Sequence, residues 1–240
     1  MEHRERLPRV PKDEVTIVIP TLNEEEAIGL VIDELFEYGF RRENILVVDG
    51  HSTDETVKIV KSKGVHWILQ DGHGKGDAIL TAAKYVETPY MLVMDGDYTY
   101  DPSAIDQMLI AAFESPEVIG YRSEGRENIP LLHRLGNWIL TKFFNVIFIT
   151  DLKDVCSGMY IVRTDIVKSL IGRSKGFSIE AEIAAAASHE GRIIEVPVRY
   201  RKRIGRKKLS SFKDGLSIFL SIFLSLTTSP SRMPLKRFSM

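Results

Sequence analysis

Short apolar runs divided by polar turns set the rhythm of this chain. VTIVIP (Val15–Pro20) is apolar and β-branched at consecutive positions, the pattern of a strand buried on both faces. NILVVDG (Asn44–Gly50), HWILQ (His66–Gln70) and YMLVMDGD (Tyr90–Asp97) repeat it. Between these runs, helical spacing predicts helices from about Asn23 to Tyr38, Ser52 to Lys63, Asp77 to Val86 and Ser103 to Phe113. Asn23 with Glu26, and Ser52 with Glu55, carry the capping-box signature of a helix start. The second half is less regular. VIGYR reads as a short strand, Ile129–Thr150 as a long apolar helix, Met159–Arg163 as a strand, Ile179–His189 as a helix and IIEVPVRY as a strand. Strands alternating with helices across short turns predict an α/β domain with a mostly parallel, helix-covered sheet.

Ligands of such sheets gather at the carboxyl ends of the strands. Polar residues collect there: Thr21, Asn23 and Glu24 after the first strand, Asp49 after the second, Asp71 to Lys75 after the third, Asp95 and Asp97 after the fourth. Asp95 and Asp97 are one residue apart and repel when both are ionised. A divalent cation removes that repulsion, and Mg²⁺ takes one or two protein carboxylates together with substrate phosphates. Gly96 between them would let a ligand approach the backbone. The alternative is a plain Asp-Gly-Asp surface turn or a cap. DGHGKG, with Lys75, reads either as a phosphate cradle or as a flexible turn. It lacks the Gly-Lys-Ser/Thr of a P-loop, and no GxGxxG follows the first strand.

Composition adds charge placement. The chain has 240 residues, 44% apolar and 27% charged, with a formal net charge of −1. Eight Arg or Lys and no acid lie between Arg199 and Lys213. Such a block points to an anionic partner. Aromatic residues do not interleave with it, which speaks against nucleic acid. The single cysteine, Cys156, allows no internal disulfide and reads as a small buried residue. The charged N-terminus does not resemble a signal peptide, and no apolar run reaches the roughly 18–20 residues of a membrane span. LSIFLSIFLSL (Leu216–Leu226) repeats serine every four residues, as a helix lying in a bilayer interface would. Residues 1–213 are then one catalytic domain and 214–240 an amphipathic interface segment. The expected location is the cytoplasmic face of a membrane, held peripherally. The alternative is that the apolar helices cover the sheet or make a dimer.

As a set, IPTLNEEEAI, VVDGHSTDET, GKGDA, MDGDYTYDP, DVCSGMY, GFSIEAEI and EVPVRYRKR resemble the family 2 glycosyltransferases of the GT-A fold, from about Val15 to Lys213. The resemblance is strongest to the dolichyl (polyprenyl) phosphate sugar transferases, including dolichyl-phosphate-mannose synthases and archaeal enzymes of protein N-glycosylation. It implies transfer from a nucleoside-diphosphate sugar, UDP-glucose or UDP-N-acetylglucosamine, to dolichyl phosphate at a membrane surface. GDP-mannose as donor, or a soluble glycan as acceptor, are the alternatives, and a non-catalytic scaffold on the same fold is a third. The resemblance assigns donor binding to Pro20, Thr21, Asn23, Glu24, Asp49, Lys75, Asp95 and Gly96, with Glu24 and Asp49 at the nucleoside, and contacts with the donor and acceptor phosphates to Arg122, Arg134, Arg203 and Lys208. It makes Asp95 and Asp97 the ligands of Mg²⁺ or Mn²⁺. Asp97, Asp154, Glu182 and Arg203 form the expected catalytic set, and Ser157 lies near sugar or acceptor. Thr99 stands where related enzymes place a third metal-side ligand, usually glutamine. An acceptor phosphate is already ionised and needs no strong base. A hydroxyl acceptor would need a carboxylate, for which Glu180, Glu182 and Asp154 are the candidates.

Overall fold

The structure is a computed structural model, and it describes residues 7–172 and 179–205. The central sheet has seven strands in the order β3-β2-β1-β4-β6-β5-β7. They are β1 (Val15–Thr21), β2 (Ile45–Asp49), β3 (His66–Leu69), β4 (Tyr90–Met94), β5 (Glu117–Glu124), β6 (Met159–Arg163) and β7 (Ile194–Arg199). The helices are α1 (Ile28–Glu37), α2 (Thr56–Lys63), α3 (Gly74–Tyr85), α4 (Ile105–Ala112), α5 (Leu131–Phe148), α6 (Thr164–Ser169) and α7 (Ile179–Glu190). Strands β1 to β4 pair in parallel, β5 pairs in parallel with β7, and β6 alone runs antiparallel to its neighbours β4 and β5. The sheet is thus mixed and mostly parallel.

Two apolar layers hold the helices on. Along β1, Ile17 and Ile19 face one layer with α1, α2 and α4, while Val18 faces the other with α3, α6 and α7. Each such fully buried aliphatic side chain contributes roughly 1.5–3 kcal/mol relative to exposure. Burial on both faces is why the strands read as unbroken apolar runs.

Several boundaries differ from the sequence reading. Helix α1 begins at Ile28, not at Asn23, and α2 at Thr56, not near Ser52. Neither start carries a side-chain cap. Helix α3 opens at Gly74, three residues before Asp77. The long helix is trimmed to Leu131–Phe148 and closes on Ile149 at φ 54°. The expected segment 214–240 lies outside the described residues, as does Lys208. No helix among the described residues is long and apolar enough to cross a membrane.

Direction explains the site. The parallel strands β1, β2 and β4 end at one edge of the sheet. Strand β6 is reversed, so it starts there, with Met159 paired to Met94. The residues just before β6 therefore meet the residues just after β4.

Candidate active site

Asp95 and Asp97 follow β4 at the carboxyl edge, and each is held by a cation from elsewhere in the chain. Lys75 Nζ, in the first turn of α3, lies 2.5 Å from Asp95 Oδ1 and 2.7 Å from Glu180 Oε1 of α7. Arg203, beyond β7, donates to Asp97 Oδ2 at 2.6 Å and to Glu24 Oε1 at 2.5 Å. Asp97 is 6% exposed, and its Oδ1 accepts from the Thr99 amide at 3.1 Å and the Thr99 hydroxyl at 2.5 Å. Burial first, and the Asp95 charge second, push the Asp97 carboxyl above its ordinary pKa, against the pull of Thr99 and Arg203. Thr99 is wholly buried. It braces Asp97 from behind.

The glycines around the pair serve packing. A Cβ at Gly96 would lie 2.9 Å from Thr21 Cγ2 and 3.2 Å from Ile19 Cγ2. Gly96 therefore lets the acid turn close onto β1, where the sequence reading had it open the backbone to a ligand. A Cβ at Gly158, just before β6, would lie 2.1 Å from Asp95 Oδ2. The Gly158 amide donates to the buried Tyr100 hydroxyl at 2.6 Å, which fixes this backbone against Asp95. Tyr98, inside the acid turn, adopts φ 67°. Its hydroxyl donates to Glu34 Oε1 at 2.8 Å, and Arg201 bridges Glu34 to Asp101 while lying over the Tyr98 ring.

A second part of the site is built from the β1 and β2 loops. Asn23 sits at φ 50°. Its amide donates to Ser52 Oγ at 2.8 Å, and its Oδ1 accepts from the Thr53 amide at 2.7 Å. The Glu24 amide donates to Thr56 Oγ1 at 2.7 Å. Asn23 and Ser52, read as helix caps, instead staple the two loops together. Asp49 is 1% exposed; its Oδ2 accepts from the Ser52 amide, and its Oδ1 is buried with no hydrogen-bond partner among the described residues. An orphaned carboxylate oxygen beside these loops is a ready acceptor for a hydroxyl or N–H of a ligand. Pro20 and Thr21 form the end of β1, paired with Val48 and Asp49.

Arg122 and Asp154 turn out to hold one another. Arg122 Nε and one terminal nitrogen donate to the two Asp154 oxygens, each at 2.6 Å. Arg122 also lies over the Tyr200 ring, which meets Tyr100 edge-on. Glu182 is half-buried on α7 beyond Glu180. Arg134 is half-buried on α5, and its side chain makes no hydrogen bond or ion pair among the described residues. Burial, with help from the Asp154 and Glu180 charges, pushes the Cys156 thiol up to about 12, so it is no nucleophile at neutral pH. The sequence reading missed Gly158, Tyr100 and Arg201, which shape the site through contacts across the sheet.

The donor set suits a hard divalent cation. It offers carboxylate oxygens from Asp95 and Asp97, and among the described residues no group of three or more His, Cys, Asp or Glu could hold a metal alone. Two carboxylates with ligand phosphates completing the shell is the usual way such a cation binds. A cation would also offset the Asp95 charge, which after burial is the second cause that raises Asp97.

Known proteins agree with this architecture. Residues 16–171 match the model of glycosyl transferase family 2. The chain is 34% identical over 224 residues to "Glycosyltransferase AglJ" of Haloferax volcanii, covering 90% of this chain and 73% of that protein. It is 30% identical over 213 residues to "Dolichyl-phosphate hexose transferase" of the same organism, covering 88% and 92%. Among solved structures, glucosyl-3-phosphoglycerate synthase from Mycobacterium tuberculosis, in complex with Mn²⁺, UDP and phosphoglyceric acid, superposes with a TM-score of 0.65 at 19% identity, over 93% of this chain and 80% of that one. That likeness concerns the fold. The family match over most of the chain and the archaeal relatives settle its membership: this protein is a glycosyltransferase of family 2.

Proposed function

We propose that this chain transfers a hexose from a nucleoside-diphosphate sugar to dolichyl (polyprenyl) phosphate, with inversion at the anomeric carbon. The donor in this reading is UDP-glucose or UDP-N-acetylglucosamine, and the glycolipid serves protein N-glycosylation. The observation that carries it is the state of the carboxylates. Of the three candidate bases, Asp154 engages Arg122 with both oxygens and Glu180 is engaged by Lys75. A hydroxyl acceptor would need a free carboxylate base. A phosphate acceptor needs in-line placement and cations to offset two converging anions. Lys75 and Arg203 supply cations beside the acid pair.

In this reading Glu24 and Asp49 orient the nucleoside, and Asp95 and Asp97 hold Mg²⁺ or Mn²⁺, which when bound neutralises charge on the departing diphosphate. Arg134 and Lys208 serve the acceptor phosphate. Support for a lipid acceptor comes from α5. Leu131, Leu135, Trp138 and Val146 recur on one side of it and are 77%, 54%, 55% and 79% exposed. The helix has no Asp or Glu and carries Arg134 and Lys142. An apolar stripe with cations suits an anionic membrane surface. On sequence grounds, residues 1–213 are the catalytic unit and 214–240 add a second surface of this kind, which makes the enzyme peripheral on the cytoplasmic face.

The test is a screen of UDP- and GDP-sugars with Mn²⁺ and polyprenyl phosphate, with products identified by mass. A UDP-hexose should give a glycosyl phosphopolyprenol. A product from GDP-mannose alone would replace the donor assignment. Equal activity on short soluble acceptors would overturn the lipid assignment. Calorimetry with UDP or GDP and Mn²⁺ should show heat, and silence with both would favour a non-catalytic scaffold.

A further inference from the structure

The two cations at the acid pair are each shared with a second carboxylate on another element. Lys75 spans Asp95 and Glu180, and Arg203 spans Asp97 and Glu24. The acids thus already have counter-charges from the chain itself. A divalent ion arriving alone must take Asp95 from Lys75, yet Lys75 stays within reach because Glu180 still holds it. Metal and ammonium then sit close together and repel. A diphosphate removes that conflict, since its oxygens can meet both cations at once. Glu180 is what keeps the ammonium in place during the exchange.

We propose that Lys75 is a resident counter-cation which makes divalent metal and nucleoside diphosphate bind as a pair, with Glu180 as the positioning carboxylate that retains it. This rests on the reading that Asp95 and Asp97 hold the metal. The Lys75 side chain is 30% exposed, so it can move between partners.

The experiment measures free Mn²⁺ by electron paramagnetic resonance during titration of the full chain, without nucleotide and then with UDP or GDP. The wild type should bind Mn²⁺ weakly alone and at least tenfold more tightly with nucleotide. Lys75→Met should bind Mn²⁺ alone at least tenfold more tightly than wild type, and the nucleotide effect should shrink. Lys75→Arg should keep the nucleotide effect. Glu180→Gln should shift Lys75 onto Asp95 and weaken Mn²⁺ binding without nucleotide. Lys84→Met, which removes an equal charge at an exposed pair with Asp71, should change nothing; an equal gain there would reduce the effect to net charge and overturn the proposal. A folded Lys75→Met protein with unchanged Mn²⁺ affinity, beside a wild type that binds Mn²⁺ with nucleotide, would overturn the proposal and leave the metal site standing. Absence of Mn²⁺ binding in every variant, with and without nucleotide, would overturn the metal reading itself and the proposal with it.

Discussion

The Thr99 hydroxyl donates to Asp97 Oδ1 at 2.5 Å from a fully buried position. Position 99 therefore acts on the acid pair from inside the fold. Thr99→Val keeps the shape and removes the donor. Hydrogen bonds to charged groups are worth about 1.5–3 kcal/mol, so kcat/KM should fall roughly 10- to 100-fold while the far-UV circular dichroism stays unchanged. Thr99→Ser should recover most of the loss. Wild-type rates in Thr99→Val would show that the brace is not used.

Gly158 tests placement of the other acid. A methyl group there would meet Asp95 Oδ2 at 2.1 Å. Gly158→Ala must displace Asp95, and displacements of about 1 Å in an active site cost on the order of 100-fold in rate. Gly136→Ala is the control, since a Cβ there meets nothing within 4 Å in mid-helix α5. It should retain full activity and gain up to about 1 kcal/mol of stability. Thermal melts and initial rates on both variants check this.

The Arg122–Asp154 pair has side chains only 10% and 11% exposed. Removing one partner strands a buried charge, at a cost of about 3–5 kcal/mol. Arg122→Met and Asp154→Asn should therefore each lower the melting temperature by roughly 10 °C. The Arg122→Met/Asp154→Leu double variant should recover much of that. Activity that returns with stability in the double variant would show a purely structural pair. Activity that stays low would give the pair a part in the site.

Glu117, at the start of β5, is 1% exposed, and its Oε2 has no hydrogen-bond partner among the described residues. Burial, reinforced by the Glu180 charge, holds its carboxyl well above the ordinary glutamate range. The folded state then keeps a proton that the unfolded state releases near pH 4.5. Stability from this group is present below the unfolded pKa and is lost as pH rises toward the folded one, by about 1.4 kcal/mol per pH unit of that window. Glu117→Gln abolishes that loss. It should melt close to wild type near pH 4.5 and higher than wild type at pH 8. Equal melting temperatures at both pH values would contradict a buried, protonated Glu117.

The strands were legible because burial on both faces leaves unbroken β-branched runs such as Val15–Ile19. Direction was not: Met159–Arg163 has the same pattern whether it runs with its neighbours or against them, so the reversal of β6 could not be read. The Asn23/Glu26 and Ser52/Glu55 signatures misled for a related reason. Short polar side chains cap a helix or staple a loop with the same atoms, and here Asn23 and Thr53, thirty residues apart, are each other's partners. The position of the acid pair at a strand end was legible, since Asp95 follows the apolar run directly. Its counter-ions were not, since Arg203 reaches Asp97 across 106 positions of sequence, and only the sheet order brings them together.

The most direct test of the account is transfer of labelled sugar from its donor to three acceptors in one assay: dolichyl phosphate, dolichol without the phosphate, and a short soluble glycan. Wild-type protein with Mn²⁺ should label only dolichyl phosphate, and Asp97→Ala should label none of them. Labelling of dolichol or the glycan at a comparable rate, or full activity in Asp97→Ala, would contradict it.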